Sequence, residues 1–269
     1  MNVSQYYNDS KKYSWTEASL QGKLEPMDLA RLMTFRENLS HYTGSNKKLL
    51  DIGCGSGVFS QVAYDLGFQV TGIDISRKAL SILKKRYPGI EFKYCRAEKL
   101  FFNARSFDVV LCLETLEHLP YPEMALKQIH RVLSDQGVCL LSVPNWFAWD
   151  RLMANPLTSS GYKMIRQLIR RFNPHAFSAH LHFHSPSEWE RIFKKYGFKV
   201  IYSRPVYIFP FFPSFNNILG FAKKMERCFF SFPGVLSFQQ AVEKSVLNLW
   251  PFSDLGQSHF WILGKRLIK

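Results

Sequence analysis

Asp51 stands two residues ahead of three alternating glycines, in the run Asp51-Ile52-Gly53-Cys54-Gly55-Ser56-Gly57. Such a run can hold a small charged ligand against bare backbone. Glycine admits positive φ and puts no Cβ in the way. The spacing argues against the dinucleotide fingerprint, in which the third glycine falls three places after the second. Here that place is Val58, and the third glycine is Gly57. An acid ahead of the turn is badly placed for a pyrophosphate. It suits a cation, such as the amino group of an amino-acid moiety. A second acid, Asp74, ends the apolar run Gln69-Val70-Thr71-Gly72-Ile73. An acid at the tip of a second strand can accept hydrogen bonds from both hydroxyls of a ribose.

The elements that must position these residues follow from pattern. Leu49 to Ile52 reads as a strand, and residues 58–66 carry apolar positions at helical spacing. Strand, tight turn and helix therefore follow in order, and the helix aims its free N–H groups at whatever sits above. Ser76 is suited to cap a helix over residues 76–87, ended by Pro88-Gly89, and residues 90–94 form a third strand. Phe107-Asp108-Val109-Val110-Leu111-Cys112-Leu113 is a continuous apolar run, expected as a central strand buried on both faces. Its C-terminal end delivers Glu114-Thr115-Leu116-Glu117-His118 to the side of the sheet where ligands bind in open parallel sheets. A helix over residues 123–133, a turn at Asp135-Gln136-Gly137 and a strand over 138–143 come next. Ser185-Pro186-Ser187-Glu188 is a capping box for a helix to Tyr196, followed by Gly197 and a strand over 198–202. The last strand is Ser258 to Lys265. A further helix is expected from about Pro26 to His41.

Asp51 to Gly57 together with Asp74 resembles the class I S-adenosylmethionine-dependent methyltransferases, closest to the branch of ubiquinone-biosynthesis methyltransferases. The resemblance is strong over residues 48–145 and weaker over 185–202 and 258–265. It implies an α/β, Rossmann-like seven-stranded sheet whose last strand is antiparallel, with helical insertions in the C-terminal half. Residues 1–45 would be a helical cover carrying Tyr6, Tyr7, Tyr13 and Trp15. Residues 46–269 would be the methyltransferase domain, with insertions at about 146–184 and 205–257. The implied cofactor is S-adenosyl-L-methionine, held by Asp51, Gly53, Cys54, Gly55, Gly57, Asp74, Ile75, Ala97, Glu98 and Leu113. One departure stands out: Arg96 occupies the position where the family usually has an acid for the adenine amino group. Asp108 matches the family's Phe-Asp-Val pattern and reads as structural.

The sulfonium cofactor carries its own activation, which leaves the protein to orient the acceptor and deprotonate it. His118 is the candidate base, with Glu117 beside it. An unperturbed imidazole titrates near ~6.5, matched to a phenol or hydroxyl proton. A structural role for His118 is the alternative. Glu114, Glu117 and His118 also resemble the segment that quinone-pathway O-methyltransferases use in divalent-metal binding. In a helix, Glu114 and His118 would share a face. His180, His182 and His184 alternate and would share one face of a strand, either as a metal face or as an edge facing the acceptor.

Charge is uneven over a chain of formal net charge +14. Residues 1–145 hold 18 basic and 15 acidic residues, whereas 146–269 hold 17 and 6. Residues 162–172 place Met164, Ile165, Leu168, Ile169 and Phe172 between basic residues, the pattern of a helix on an anionic membrane or of a solvated basic face. No residue from 205 to 222 is charged, but Pro205, Pro210 and Pro213 argue against a spanning helix there. That segment, with Phe229, Phe230, Phe232 and Phe238, reads as an apolar lid or as a packed subdomain. The five cysteines form no C-x-x-C pair, which suggests a reducing compartment. A cytoplasmic location is expected, with the inner face of a membrane as its peripheral variant.

The favoured function is methyl transfer to a small lipophilic acceptor, first the hydroxyl of a quinone or phenol. A nucleic-acid methyltransferase is the alternative, supported by charge and weakened by the lack of an Asn-Pro-Pro-Tyr-like motif after the fourth strand. A cofactor-binding, membrane-associated scaffold without catalysis is the third.

Overall fold

The computed structural model describes residues 26–145, 182, 184–206 and 258–266. Helix α1 (Pro26–Ser40) leads into β1 (Lys48–Ile52), α2 (Val58–Asp65), β2 (Gln69–Asp74), α3 (Arg77–Arg86) and β3 (Glu91–Tyr94). Then come β4 (Phe107–Leu113), a 3₁₀ turn (Leu116–His118), α4 (Pro122–Val132) and β5 (Leu133–Pro144). The chain closes with α5 (Pro186–Lys195), β6 (Phe198–Val206) and β7 (Ser258–Lys265).

The strands form one seven-stranded sheet in the order β3-β2-β1-β4-β5-β7-β6, parallel except for β7, which runs antiparallel to β5 and β6. This is the expected Rossmann-like sheet with its last strand reversed. The strand order turns back between β1 and β4, so a crevice opens above their C-terminal ends. Past Asp108, β4 is apolar because helices cover both its faces: Val110 and Cys112 join one core layer, Val109 and Leu111 the other. Cys112 and Cys139 are fully buried and unpaired, as core residues.

Local chemistry sets the helix starts. The Ser76 hydroxyl accepts from Ala79 N at 3.2 Å. At α5 the Ser185 hydroxyl accepts from Glu188 N, and the Glu188 carboxylate accepts from Ser185 N at 2.7 Å. The Asp108 carboxylate accepts from Lys48 N at 2.9 Å, which ties the base of β4 to the start of β1. Among the described residues no helix is long and apolar enough to cross a membrane.

Two strand boundaries differ from the sequence expectation. β5 begins at Leu133, directly off α4, with no separate turn at 135–137. Leu133 pairs with Phe107 and Val138 with Val109, so a bulge absorbs the intervening residues. β6 runs on to Val206 through Pro205, which pairs with His259. Proline is admitted there because β6 is an edge strand. β6 therefore takes in residues 205 and 206, which the sequence reading gave to the second insertion. The aromatic residues of the N-terminal 25 positions, the 162–172 pattern, His180 and the Phe-rich segment beyond 206 lie outside the described residues.

Candidate active site

The glycine loop is a preformed cradle between β1 and α2. Gly53, Gly55 and Gly57 all have positive φ, at 71°, 50° and 74°. The need for glycine is sterically tightest at Gly53, where an added Cβ would fall 2.5 Å from Thr115 Oγ1. Gly53 N and Cys54 N both donate to Ile73 O, at 2.9 and 3.0 Å, so the loop hangs from β2. Gly57 caps α2. Asp74 completes the tie: its two carboxylate oxygens accept from Gly55 N at 3.0 Å and Ser76 N at 2.8 Å. Each oxygen keeps a lone pair for a hydroxyl above it.

Asp51 is buried beneath this loop and accepts from Ser60 Oγ at 2.5 Å. Burial pushes its carboxyl up to about 7, against the pull of the Ser60 hydrogen bond, with Asp74 adding to the rise. Burial likewise raises Asp74, while the backbone N–H groups of Ser76, Gly55 and Ile75 pull it down. Two acids with raised affinity for protons, Asp51 buried and Asp74 half-buried, form a site that a ligand cation would relieve. Cys54 is buried, and its thiol is pushed far up by burial and by both acids, so it acts here through its backbone.

At the far end of the cradle, Ala97 and Glu98 are buried beyond β3. Arg96 reaches Glu98 Oε1 at 3.1 Å. The cation at the position usually held by an acid thus engages the only carboxylate of the run, Glu98.

Beyond β4 the structure separates the three groups that a helix would have aligned. Glu114 adopts a left-handed φ of 49°, and only Leu116–His118 is helical. Glu114 and His118 therefore do not share a helix face. Glu114 accepts from Ser142 Oγ at 2.8 Å and from the Arg31 guanidinium at 2.9 Å. Glu117 is 1% exposed, with both carboxylate oxygens lacking a hydrogen-bond donor. Its Oε1 lies 3.4 Å from His118 Nε2, in range for charge attraction but off hydrogen-bond geometry. Burial first, then the charge of Glu114, raises the Glu117 carboxyl well above the usual carboxylate range. Among the described residues no three His, Cys, Asp or Glu side chains converge as a metal site.

The described histidines of the 180–184 run lie outside any strand. His182 N donates to Glu117 O at 3.3 Å, and its ring nitrogen meets Leu119 O at 2.9 Å. The His182 ring stacks on His184, which meets Trp189 edge-on. These rings roof the segment that carries Glu117 and His118.

Between α1 and the sheet, a crevice is walled by Phe35, Phe59, Phe260, Leu113 and Val206, with Arg31, Ser142 and Ser258 as polar lining. Arg31 joins α1 to this crevice through Asp28, Glu114 and Ser258, the last at 2.8 Å. Sequence reading missed Arg31, Ser142, Ser258, Ser60 and Thr115. Thr115 lies inside the singled-out run, so its contact with Gly53 was within reach. The others come from distant strands and helices, and no local signal marks them.

A parallel sheet that turns back at a glycine cradle, with an acid at the tip of β2, defines a nucleoside-cofactor domain of the methyltransferase type. The chain belongs to the Methyltransferase domain family, whose model matches residues 25–203. It is 32% identical over 143 residues to a ubiquinone biosynthesis O-methyltransferase of Haemophilus ducreyi, covering 49% of this chain and 60% of that protein. The chain thus spans less than two thirds of that relative's length. A Haloferax volcanii putative methyltransferase, solved in complex with the Trm112 activator, superposes with a TM-score of 0.64 at 15% identity, covering 100% of this chain and 99% of that one. The 1,6-didemethyltoxoflavin-N1-methyltransferase of Burkholderia thailandensis, solved with S-adenosylhomocysteine, has a TM-score of 0.56 at 16% identity, covering 99% and 92%. The family implies S-adenosylmethionine as cofactor. The residues present fit it: a cradle that a Cβ would fill at Gly53, and two acids placed for an ammonium and a ribose.

Proposed function

We propose that this protein transfers the methyl group of S-adenosylmethionine to the hydroxyl of a small lipophilic acceptor of the quinone or phenol type. The observation that carries the reading is the junction at Gly53, where Thr115 packs on the cradle and sets Glu114 to His118 at its edge. The curated relatives named ubiquinone biosynthesis O-methyltransferase support the oxygen acceptor.

Asp74 would take the ribose hydroxyls and Asp51 would face the amino group, with Gly53, Cys54, Gly55 and Gly57 giving backbone approach. Ile75, Ala97, Glu98 and Leu113 would border the adenosine. Bound there, S-adenosylmethionine supplies an activated methyl group on a sulfonium centre. The chain's own task is to hold the acceptor oxygen in line and to remove its proton. His118 takes that proton, and the buried Glu117 carboxyl, 3.4 Å from its Nε2, sets the polarity around the imidazole. Glu117 is too enclosed to touch the acceptor itself.

The test is calorimetric titration of S-adenosylhomocysteine into wild type and Asp74→Ala, with thermal unfolding to confirm the fold. Hydrogen bonds to a charged group contribute about 1.5–3 kcal/mol, so the variant is expected to bind roughly ten- to a hundredfold more weakly. Absence of binding by well-folded wild type overturns the methyltransferase reading and leaves a scaffold.

A further inference from the structure

The turn that follows β3 joins an exposed cation to an enclosed acid. Lys99 N donates to Arg96 O at 3.1 Å, which closes the turn. Arg96 Nη2 donates across it to Glu98 Oε1, also at 3.1 Å. The Arg96 side chain is 54% exposed and that of Glu98 8%. Among the described residues no donor reaches Glu98 Oε2. Burying a carboxylate is costly unless it is paired and hydrogen-bonded. One link to an exposed guanidinium leaves half of that need unmet, and a second donor would complete it. Unlike the sealed oxygens of Glu117, Oε2 keeps an open side from which that donor can come.

Position points to the donor. Tyr94 lies beside Asp74 where β3 pairs with β2, and Cys95 N donates to Asp74 O at 3.2 Å. Residues 95–98 therefore leave the sheet directly beside the acid suited to ribose hydroxyls. Neighbouring strands lie about 4.8 Å apart, so a base carried by that ribose extends over this turn.

Adenine presents an amino group, which donates, beside ring nitrogens that accept. The pair answers both. A carboxylate oxygen accepts, and a guanidinium donates through several N–H groups, of which Glu98 engages one. A lone acid would answer the amino group and leave the ring nitrogen to water.

We propose that Arg96 and Glu98 form a donor–acceptor pair that selects the base of the cofactor, with Glu98 accepting from the adenine amino group and Arg96 donating to the ring nitrogen beside it. The pair rests on the S-adenosylmethionine reading above and adds Arg96 to it, both as a contact and as the residue that positions Glu98.

The test compares S-adenosylhomocysteine with S-inosylhomocysteine, in which an oxo group replaces the amino group. Each is titrated by calorimetry into wild type, Glu98→Gln, Arg96→Ala and Arg96→Lys, with thermal unfolding to confirm the fold. Wild type is expected to bind the adenosyl ligand roughly ten- to a hundredfold more tightly, because the oxo group sets lone pairs against Oε2. Glu98→Gln is expected to erase that preference, since an amide can turn either its NH2 or its oxygen to the base. Arg96→Ala is expected to weaken the adenosyl ligand about tenfold and to shrink the preference, and Arg96→Lys to recover part of it. Equal affinity of wild type for the two ligands overturns the pair and leaves the cofactor reading in place; this readout needs no variant to fold. An unchanged preference in Glu98→Gln or in Arg96→Ala overturns the pair as well. Failure of folded wild type to bind either ligand overturns the cofactor reading, and the pair with it.

Discussion

The Arg31 guanidinium lies 2.9 Å from the Glu114 carboxylate, although 83 residues separate them in sequence. The pair fastens α1 to the tip of β4. It also balances a carboxylate held in left-handed backbone, a conformation that costs of order 1 kcal/mol or more for a non-glycine residue. Arg31→Gln removes the charge partner while Ser142 still serves Glu114. The expected cost is about 1–3 kcal/mol in denaturant unfolding. Affinity for S-adenosylhomocysteine should not change, because Arg31 lines the crevice and not the cradle. Arg31→Lys should recover part of the stability. A loss of cofactor affinity equal to the loss of stability would contradict this separation.

Asp51 makes the cradle sensitive to pH. Its carboxyl titrates at about 7 in the fold, against 3.8 as the ordinary value. A raised acid holds its proton longer in the folded state, so its contribution to stability is greatest below 3.8 and declines as pH rises to about 7. Ligand binding has the opposite sign, because a cation favours the ionised form. Affinity for S-adenosylhomocysteine should rise with pH up to about 7 and level off above it. Calorimetry in buffers of different ionisation enthalpy should detect proton release on binding below that point. Asp51→Asn should abolish the slope, and a persistent slope in that variant would place the titration elsewhere.

Burial, then the charge of Glu114, favours the neutral form of the Glu117 carboxyl, and the amide of Glu117→Gln mimics that form. Thermal stability should stay the same or rise, since an unsatisfied buried acid is replaced by an uncharged group of the same shape. Methyl transfer, followed with a phenolic acceptor, should fall at least about tenfold in kcat with KM unchanged, as expected when a group acts on the base and not on substrate binding. His118→Ala should lose at least as much, and the double variant no more than His118→Ala. Additive losses would show that the two residues act independently.

Features of the fold with local causes were legible in sequence. The Ser76 cap and the Ser185–Glu188 box are set within four residues, and both form as expected. The apolar run of β4 announced a strand covered on both faces. Boundaries set by partners far along the chain were not legible. Leu133 is a strand residue because Phe107 lies beside it, and Pro205 because His259 does. The cradle was readable since glycine spacing encodes backbone shape. The environment of Glu114 and Glu117 was not, since Arg31, Ser142 and Ser258 reach that place only through the sheet order and α1. Nothing in the types Glu-x-x-Glu-His tells which acid will be enclosed.

The pairing of Val206 with Ser258 bears on how such a protein diversifies. The two residues close a stem, and residues 207–257 connect its ends along the chain. With the stem already formed by β6 and β7, the entropy of closing the inserted stretch grows only with the logarithm of its length. Lineages can therefore lengthen, shorten or exchange that stretch at small cost to the sheet. The cradle on β1 and β2 sits at the opposite end of the strand order and is insulated from such exchange. Selection can rewrite that stretch while the cofactor half drifts slowly.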